Sequence, residues 1–254
     1  MRILITNDDG IHSPGIAALE RVARQLTDDV MVVAPAIDQS GVAHSLSLND
    51  PLRLRKISDQ HYAVKGTPTD CVIMGVRHLM RDAPPDLVLS GINSGQNVAE
   101  DVTYSGTIAG AIEGTILGIP SIALSQAYGH TGRDKIRWDC AEALAPGIIR
   151  KIMAQKLPHE ILFNVNFPDC DPKDIQGTAL CTQGRRDKNL LAVDQRHDGR
   201  GLPYYWLAFN KPTFTPGIGT DLEALAQKRI SVTPLRINLT DEPTMLQFAN
   251  LFSS

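Results

Sequence analysis

The first ten residues, Met1-Arg2-Ile3-Leu4-Ile5-Thr6-Asn7-Asp8-Asp9-Gly10, constrain the fold more than any other stretch. Ile3-Leu4-Ile5 is a continuous apolar run that stops at a polar cluster, the pattern of a strand buried on both faces of a parallel sheet. In open α/β sheets ligands bind beyond the carboxyl ends of the strands, so Asp8 and Asp9 stand where chemistry is done. Two adjacent carboxylates repel unless positive charge lies beside them, and Gly10 allows a turn tight enough for both to face one point. A divalent cation would satisfy this arrangement. An Asx-type turn, in which Asn7 and Asp8 bond their own backbone, would account for the same residues without a ligand.

The next segments extend a parallel sheet. Pro14-Gly15 opens an amphipathic helix with Ile16, Leu19, Val22, Ala23 and Leu26 on one side, and Val30 to Pro35 reads as a second buried strand, giving a βαβ start. A polar loop follows, in which Ser40 offers a hydroxyl and His44 a donor or an acid–base group; either residue could equally be an ordinary loop side chain. Leu52 to Ile57 and His61 to Lys65 read as a half-exposed antiparallel hairpin. Thr67, Pro68 and Asp70 are the N-cap, first position and first-turn acid of a helix, with an anion-binding role for Thr67 or Thr69 left open. Asp86 to Leu89 is a third strand, delivering the loop Ser90-Gly91-Ile92-Asn93-Ser94-Gly95 to the same edge, where Asn93 can offer a carbonyl oxygen to a hard cation. Tyr104-Ser105-Gly106-Thr107 then opens a helix rich in small residues. Its first turn has hydroxyls and no carboxylate, which suits a phosphate, and no lysine stands where a nucleoside-triphosphate-binding P-loop needs one.

Composition narrows the partners. The chain has 254 residues, 43% hydrophobic and 21% charged, with a formal net charge of -3, so no basic field calls for duplex nucleic acid or an anionic membrane. Cys71, Cys140, Cys170 and Cys181 show no Cys-x-x-Cys spacing and follow no secretory signal, so a cytoplasmic protein with reduced thiols is expected. The uncharged run from Gly114 to Gly132 is interrupted by Pro120, glycines, Ser121, Ser125 and Gln126, and is rejected as a membrane span.

Taken together, Asn7-Asp8-Asp9-Gly10, Ser40-Gly41 with His44-Ser45, Gly66-Thr67-Pro68-Thr69-Asp70-Cys71, Ser90 to Gly95 and Tyr104 to Thr107 resemble the family of the stationary-phase survival protein SurE, a metal-dependent nucleotidase. Asn164-Val165-Asn166-Phe167-Pro168 and Ser231-Val232-Thr233-Pro234-Leu235 extend the resemblance to most of the chain. It implies a Rossmann-like, doubly wound, mostly parallel sheet. It implies hydrolysis of nucleoside 5′- and 3′-monophosphates in the cytoplasm, with one divalent cation held by Asp8, Asp9, Ser40 and Asn93. It also implies a homodimer or homotetramer in which a C-terminal arm is exchanged. The hard oxygen donors of those four residues suit Mg²⁺ or Mn²⁺. Asn7, Gly41, Ser94, Gly95, Ser105, Gly106 and Thr107 are then the expected phosphate contacts, and Asp8, Asn93 and His44 the expected catalytic groups, with Asp8 as base or ligand and His44 as a candidate acid. Short polyphosphate is a further candidate substrate.

The second half carries fewer signals. Trp138 to Lys156 has a helical pattern in which Pro146-Gly147 predicts a kink or break. Ile161 to Pro168 and Ala179 to Thr182 read as strands. The segment Gln183 to Gly201, with Arg185, Arg186, Lys188, Arg196 and Arg200, reads as a solvated loop, with an extended hairpin reaching another subunit implied by the family. Tyr204 to Phe209 is a strand, Asp221 to Ala226 a helix capped by Thr220, Ile230 to Leu235 a strand, and Thr244 to Phe252 a terminal helix. The reading divides the chain into a catalytic core, residues 1–157, and residues 158–254, holding the remaining core strands and the arm; a single continuous domain is the other reading. Three alternative classes fit the sequence less well. A haloacid-dehalogenase-type phosphatase spaces its two aspartates differently, a zinc-dependent deacetylase has a histidine where Asn7 stands, and a non-catalytic nucleotide-binding stress protein has no need of Asp8 and Asp9.

Overall fold

Ile3 and Ile5 of the first strand face one side of the sheet and Leu4 faces the other, and the helices divide accordingly. The computed structural model describes residues 1–129, 132, 135–186, 191–209 and 215–251. Its strands are β1 (Ile3–Thr6), β2 (Val30–Pro35), β3 (Leu54–Ser58), β4 (His61–Val64), β5 (Leu87–Ser94), β6 (Ser121–Gln126), β7 (Ile161–Phe167), β8 (Thr178–Leu180), β9 (Leu191–His197), β10 (Pro203–Phe209) and β11 (Ile230–Arg236). The helices are α1 (Pro14–Arg24), α2 (Pro68–Met74), α3 (Gly106–Ile116), α4 (Asp139–Met153), α5 (Asp221–Ala226) and α6 (Glu242–Gln247).

Nine strands form one sheet in the order β3-β4-β2-β1-β5-β6-β7-β11-β8, and β9 and β10 form a separate hairpin. Neighbours from β4 to β7 are parallel, β3 is antiparallel at one edge, and β11 is antiparallel to β7. α1 and α4 pack on the face of Ile3 and Ile5, while α2 packs on the face of Leu4 and α3 covers Ala123 and Leu162. This is the doubly wound α/β arrangement expected. β7, β11 and β8 join the sheet of β1, so its hydrogen bonding crosses the expected border at residues 157 and 158.

Several elements differ from the sequence reading. β5 runs on through Ser90-Gly91-Ile92-Asn93 to Ser94, read as a loop, because a break of register between Ser90 and Asn93 lets it continue beside β6. β6 itself gives no apolar signal at Ser125 and Gln126, yet both are fully buried. Asn97 Nδ2 donates to Ser125 Oγ at 2.9 Å, and Gln126 Nε2 donates to the carbonyl of Pro168 at 3.0 Å, while Gln126 Oε1 is buried without a partner. α4 passes unbroken through Pro146, which is buried. The proline removes the donor that would serve the Glu142 carbonyl, and Gln25 Nε2 reaches that oxygen from the C-cap of α1 at 3.5 Å. Part of the segment read as a solvated loop is β9, paired with β10 as an exposed hairpin; Lys188 lies outside the described residues. The terminal helix begins earlier than expected, at Glu242 after an Asp241 cap, and Phe252 also lies outside the described residues.

Candidate active site

The carboxyl ends of β1 and β5, the loop after β2 and the start of α3 meet around Asp8. Asp8 is 4% exposed, and Thr107 Oγ1 donates to its Oδ1 at 2.6 Å. Burial pushes the Asp8 carboxyl up to about 6, against the pull of the Thr107 hydroxyl and with the Asp9 charge adding to the rise. Gly106 explains how α3 comes so near: a Cβ there would meet Asp8 Cβ at 2.7 Å and Asp8 Oδ2 at 3.1 Å. Ser105 caps the helix, its Oγ accepting from the Ile108 amide at 3.1 Å, which leaves the first-turn amides of Gly106 and Thr107 without intrahelical acceptors.

Backbone contacts bring in the other loops. The Ser94 amide donates to Asp9 Oδ2 at 3.0 Å, so Asp9 is oriented by the end of β5, one residue beyond Asn93. Asn93 Nδ2 donates to the Gly95 carbonyl at 2.8 Å. The Gln39 amide donates to the Asp8 carbonyl at 2.8 Å and docks the loop carrying Ser40 on the end of β1. Gly10, at φ +97°, permits this approach, because a Cβ there would meet the Ile37 carbonyl carbon at 3.3 Å. Ser40 is held by Asp38, whose Oδ1 accepts from its amide at 2.7 Å and its hydroxyl at 2.6 Å. Gly41 follows, and the Ala43 amide bonds the Tyr104 carbonyl at 3.1 Å beside Ser105.

Three expected site residues have other engagements. Asn7 Nδ2 donates to Ser13 Oγ at 2.8 Å and to the Gly10 carbonyl at 3.0 Å, so its amide builds the turn into α1; only its buried Oδ1 has no partner. The Gly95 amide donates to the Gln126 carbonyl at 3.0 Å and is not available to a phosphate. His44 Nε2 lies 3.0 Å from Glu113 Oε2, two turns along α3, and the imidazole lines an apolar groove on that side of the helix instead of facing Asp8. Thr67 is consumed by its capping box with Asp70 and by a bond to the Ser45 carbonyl. Asp38 and Glu113 went unnoticed in the sequence. The Asp-x-Ser spacing of Asp38 and Ser40 is a usable turn signal, whereas nothing local pairs Glu113 with His44.

Behind the site, the loop after β5 is fixed by a buried amide cluster. The Asn97 amide donates to Asn166 Oδ1 at 2.8 Å, and Asn164 Nδ2 donates to the Asn97 carbonyl at 2.7 Å. Asp221, fully buried, accepts from the amides of Ala99 and Gly184 at 2.9 Å each, joining that loop to the base of the β9–β10 hairpin.

The arrangement defines a Rossmann-like α/β protein whose paired carboxylates meet a helix N-terminus at the sheet's carboxyl edge, where open α/β sheets bind their ligands. The family model described as "Survival protein SurE" matches residues 3–189. The chain belongs to the SurE family. It is 66% identical over 253 residues to the 5′-nucleotidase SurE of Methylobacterium radiotolerans, covering all of both chains, and 66% identical over 252 residues to that of Methylorubrum extorquens, covering 99% of each. The crystal structure of the SurE protein from Aquifex aeolicus superposes with a TM-score of 0.86 at 41% identity, covering 99% of both chains.

Proposed function

We propose that this chain is a metal-dependent phosphomonoesterase that hydrolyses nucleoside 5′- and 3′-monophosphates to nucleoside and inorganic phosphate. The observation that carries the reading is Asp8, a carboxylate buried beside Asp9 and roofed by the first turn of α3. Two neighbouring carboxylates, one of them hidden from water beside the Thr107 hydroxyl, call for a cation, and the surrounding donors are hard oxygens. Asp8, Asp9, Ser40 and Asn93 would hold one Mg²⁺ or Mn²⁺ per subunit. When bound, such an ion neutralises phosphate charge and lowers the pKa of water.

The residues of the chain divide the remaining work. Thr107 fixes Oδ1 of Asp8, and the missing side chain at Gly106 leaves room beside Oδ2. The amides of Gly106 and Thr107 and the positive end of α3 favour the phosphate, and the Ser105 hydroxyl keeps its own proton to donate. Ser94 and Gly41 stand at the rim. Water attacks phosphorus, the ester P–O bond breaks, and the leaving oxygen takes a proton to become the hydroxyl of the nucleoside. Short polyphosphate presents the same anionic groups to the same cradle.

The relatives named 5′-nucleotidase SurE support a nucleotide substrate, and the 3′ activity extends from the same phosphate cradle. The exposed apolar residues of the β9–β10 hairpin and of α6, Trp206 and Leu207 and then Met245 and Leu246, support a homodimer or homotetramer formed through the C-terminal arm. Four free cysteines fit a cytoplasmic setting, and among the described residues no helix is long and apolar enough to cross a membrane. The deciding experiment measures phosphate release from 5′-AMP, 3′-AMP and a simple phosphomonoester by metal-stripped protein, before and after adding Mg²⁺ or Mn²⁺, alongside Asp8→Asn. Release that needs the metal and collapses in the variant establishes the reading. Nucleotide binding without release under any metal replaces it with a binding protein.

A further inference from the structure

A cleft of about 590 Å³ opens directly beside Asp9 and Ser94 and runs between the loop after β2 and the segment preceding α4. Its lining includes Ile37, Ile136 and Trp138, with His12 and Asp38 as polar groups. Ile37 is 70% exposed, although the loop around it is pinned by the Gln39 bond to Asp8. A single exposed isoleucine means little, but three large apolar side chains around one cleft at a carboxylate site mark a place for a flat, partly apolar ligand. Trp138 is well supported there, its indole lying over the first turn of α1 so that a Cβ on Gly15 would meet Cη2 at 3.0 Å.

We infer that this cleft is the nucleoside subsite, with the base against Ile37 and Trp138 and its heteroatoms within reach of His12 and Asp38. The inference rests on the phosphate reading of the Asp8 site and adds a direction to it: the group esterified to the phosphate extends past Asp9 towards α1 and the start of α4. The other groove beside α3 shares Ser105 with the site, but neither aspartate lines it, and its walls are mainly aliphatic. A base placed there would leave its polar edges poorly matched. The volume beside Asp9 falls within the range of small-ligand pockets, and apolar walls with a few polar groups are how such pockets hold aromatic heterocycles.

The chain has two tryptophans, so in a Trp206→Phe background Trp138 is the sole indole reporter. That protein is titrated with 5′-AMP and, separately, with ribose 5-phosphate, which lacks the base. A saturable change in Trp138 emission with 5′-AMP and none with ribose 5-phosphate is expected. In parallel, Ile37→Ala is expected to lower the ratio of kcat/KM for 5′-AMP over ribose 5-phosphate by about five- to tenfold, chiefly through KM. Equal emission responses to the two ligands together with an unchanged ratio would overturn the subsite while leaving phosphatase activity standing. If neither compound releases phosphate, the enzymatic reading fails by itself, and the emission titration alone decides whether the cleft binds a base.

Discussion

Thr107 Oγ1 donates to Asp8 Oδ1 at 2.6 Å across 99 residues of sequence, joining the first turn of α3 to the end of β1. Removing this donor with Thr107→Val keeps the shape and leaves a buried carboxylate oxygen without its side-chain partner. Groups that orient a metal ligand, the role proposed for Asp8, are worth about 10- to 100-fold, so kcat for 5′-AMP is expected to fall within that range. Thr107→Ser, which retains the hydroxyl, should recover most of it.

Gly106 faces Asp8 with no room for a methyl group. Gly106→Ala would place Cβ 2.7 Å from Asp8 Cβ, a contact that must be relieved by moving α3 or β1. Overpacking of this kind costs about 1–3 kcal/mol, to be read from the urea midpoint, and activity should fall further than stability because the displaced groups are those of the site.

Cation binding should also appear without turnover. A ligand bound only by the folded state at 100 times its Kd adds about 2.7 kcal/mol, which for a chain of this size raises Tm by roughly 5–10 °C. Mg²⁺ or Mn²⁺ added to stripped protein is expected to produce such a rise, and Asp9→Asn is expected to abolish it. An equal rise in the variant would move the cation elsewhere.

The pH dependence of one surface cluster follows from its geometry. Burial pushes the Glu20 carboxyl up, but hydrogen bonds from His61 and from Arg24 outweigh it and hold the group below its ordinary value of 4.5. A carboxylate lowered on folding contributes stability above its unfolded pKa and loses it as pH falls through the folded value. The Tm difference between the native protein and Glu20→Gln should therefore be steady near neutrality and shrink as pH drops below about 5.

How much of this could be read from the chain depends on the distance over which each residue is determined. Ile3-Leu4-Ile5, the Thr67–Asp70 capping box and the β3–β4 hairpin are settled by near neighbours, and they lie where periodicity and caps put them. Ser125 and Gln126 obscure β6 because their partners, Asn97 and the Pro168 carbonyl, come from other parts of the sequence. Pro146 misled for a similar reason: it is buried within an unbroken helix. At the site, adjacency in sequence made Asp8 and Asp9 conspicuous, and the motif Tyr104 to Thr107 marked the opening of α3. Asn7 bonds within its own turn, to the Gly10 carbonyl and Ser13, close to the local turn reading of that motif, whereas the pairing of His44 with Glu113 depends on a loop path that no local pattern encodes.

Asp9 and Asp8 are steadied in different currencies, one by the main chain of Ser94 and the other by the side chain of Thr107. A main-chain donor survives any replacement except proline. Saturation mutagenesis would therefore read position 94 as permissive and positions 106 and 107 as brittle, although all three support the same pair of carboxylates. Ranking residues by their mutational sensitivity would undervalue the contact that orients Asp9, since its importance is written into the path of β5 and not into a side chain.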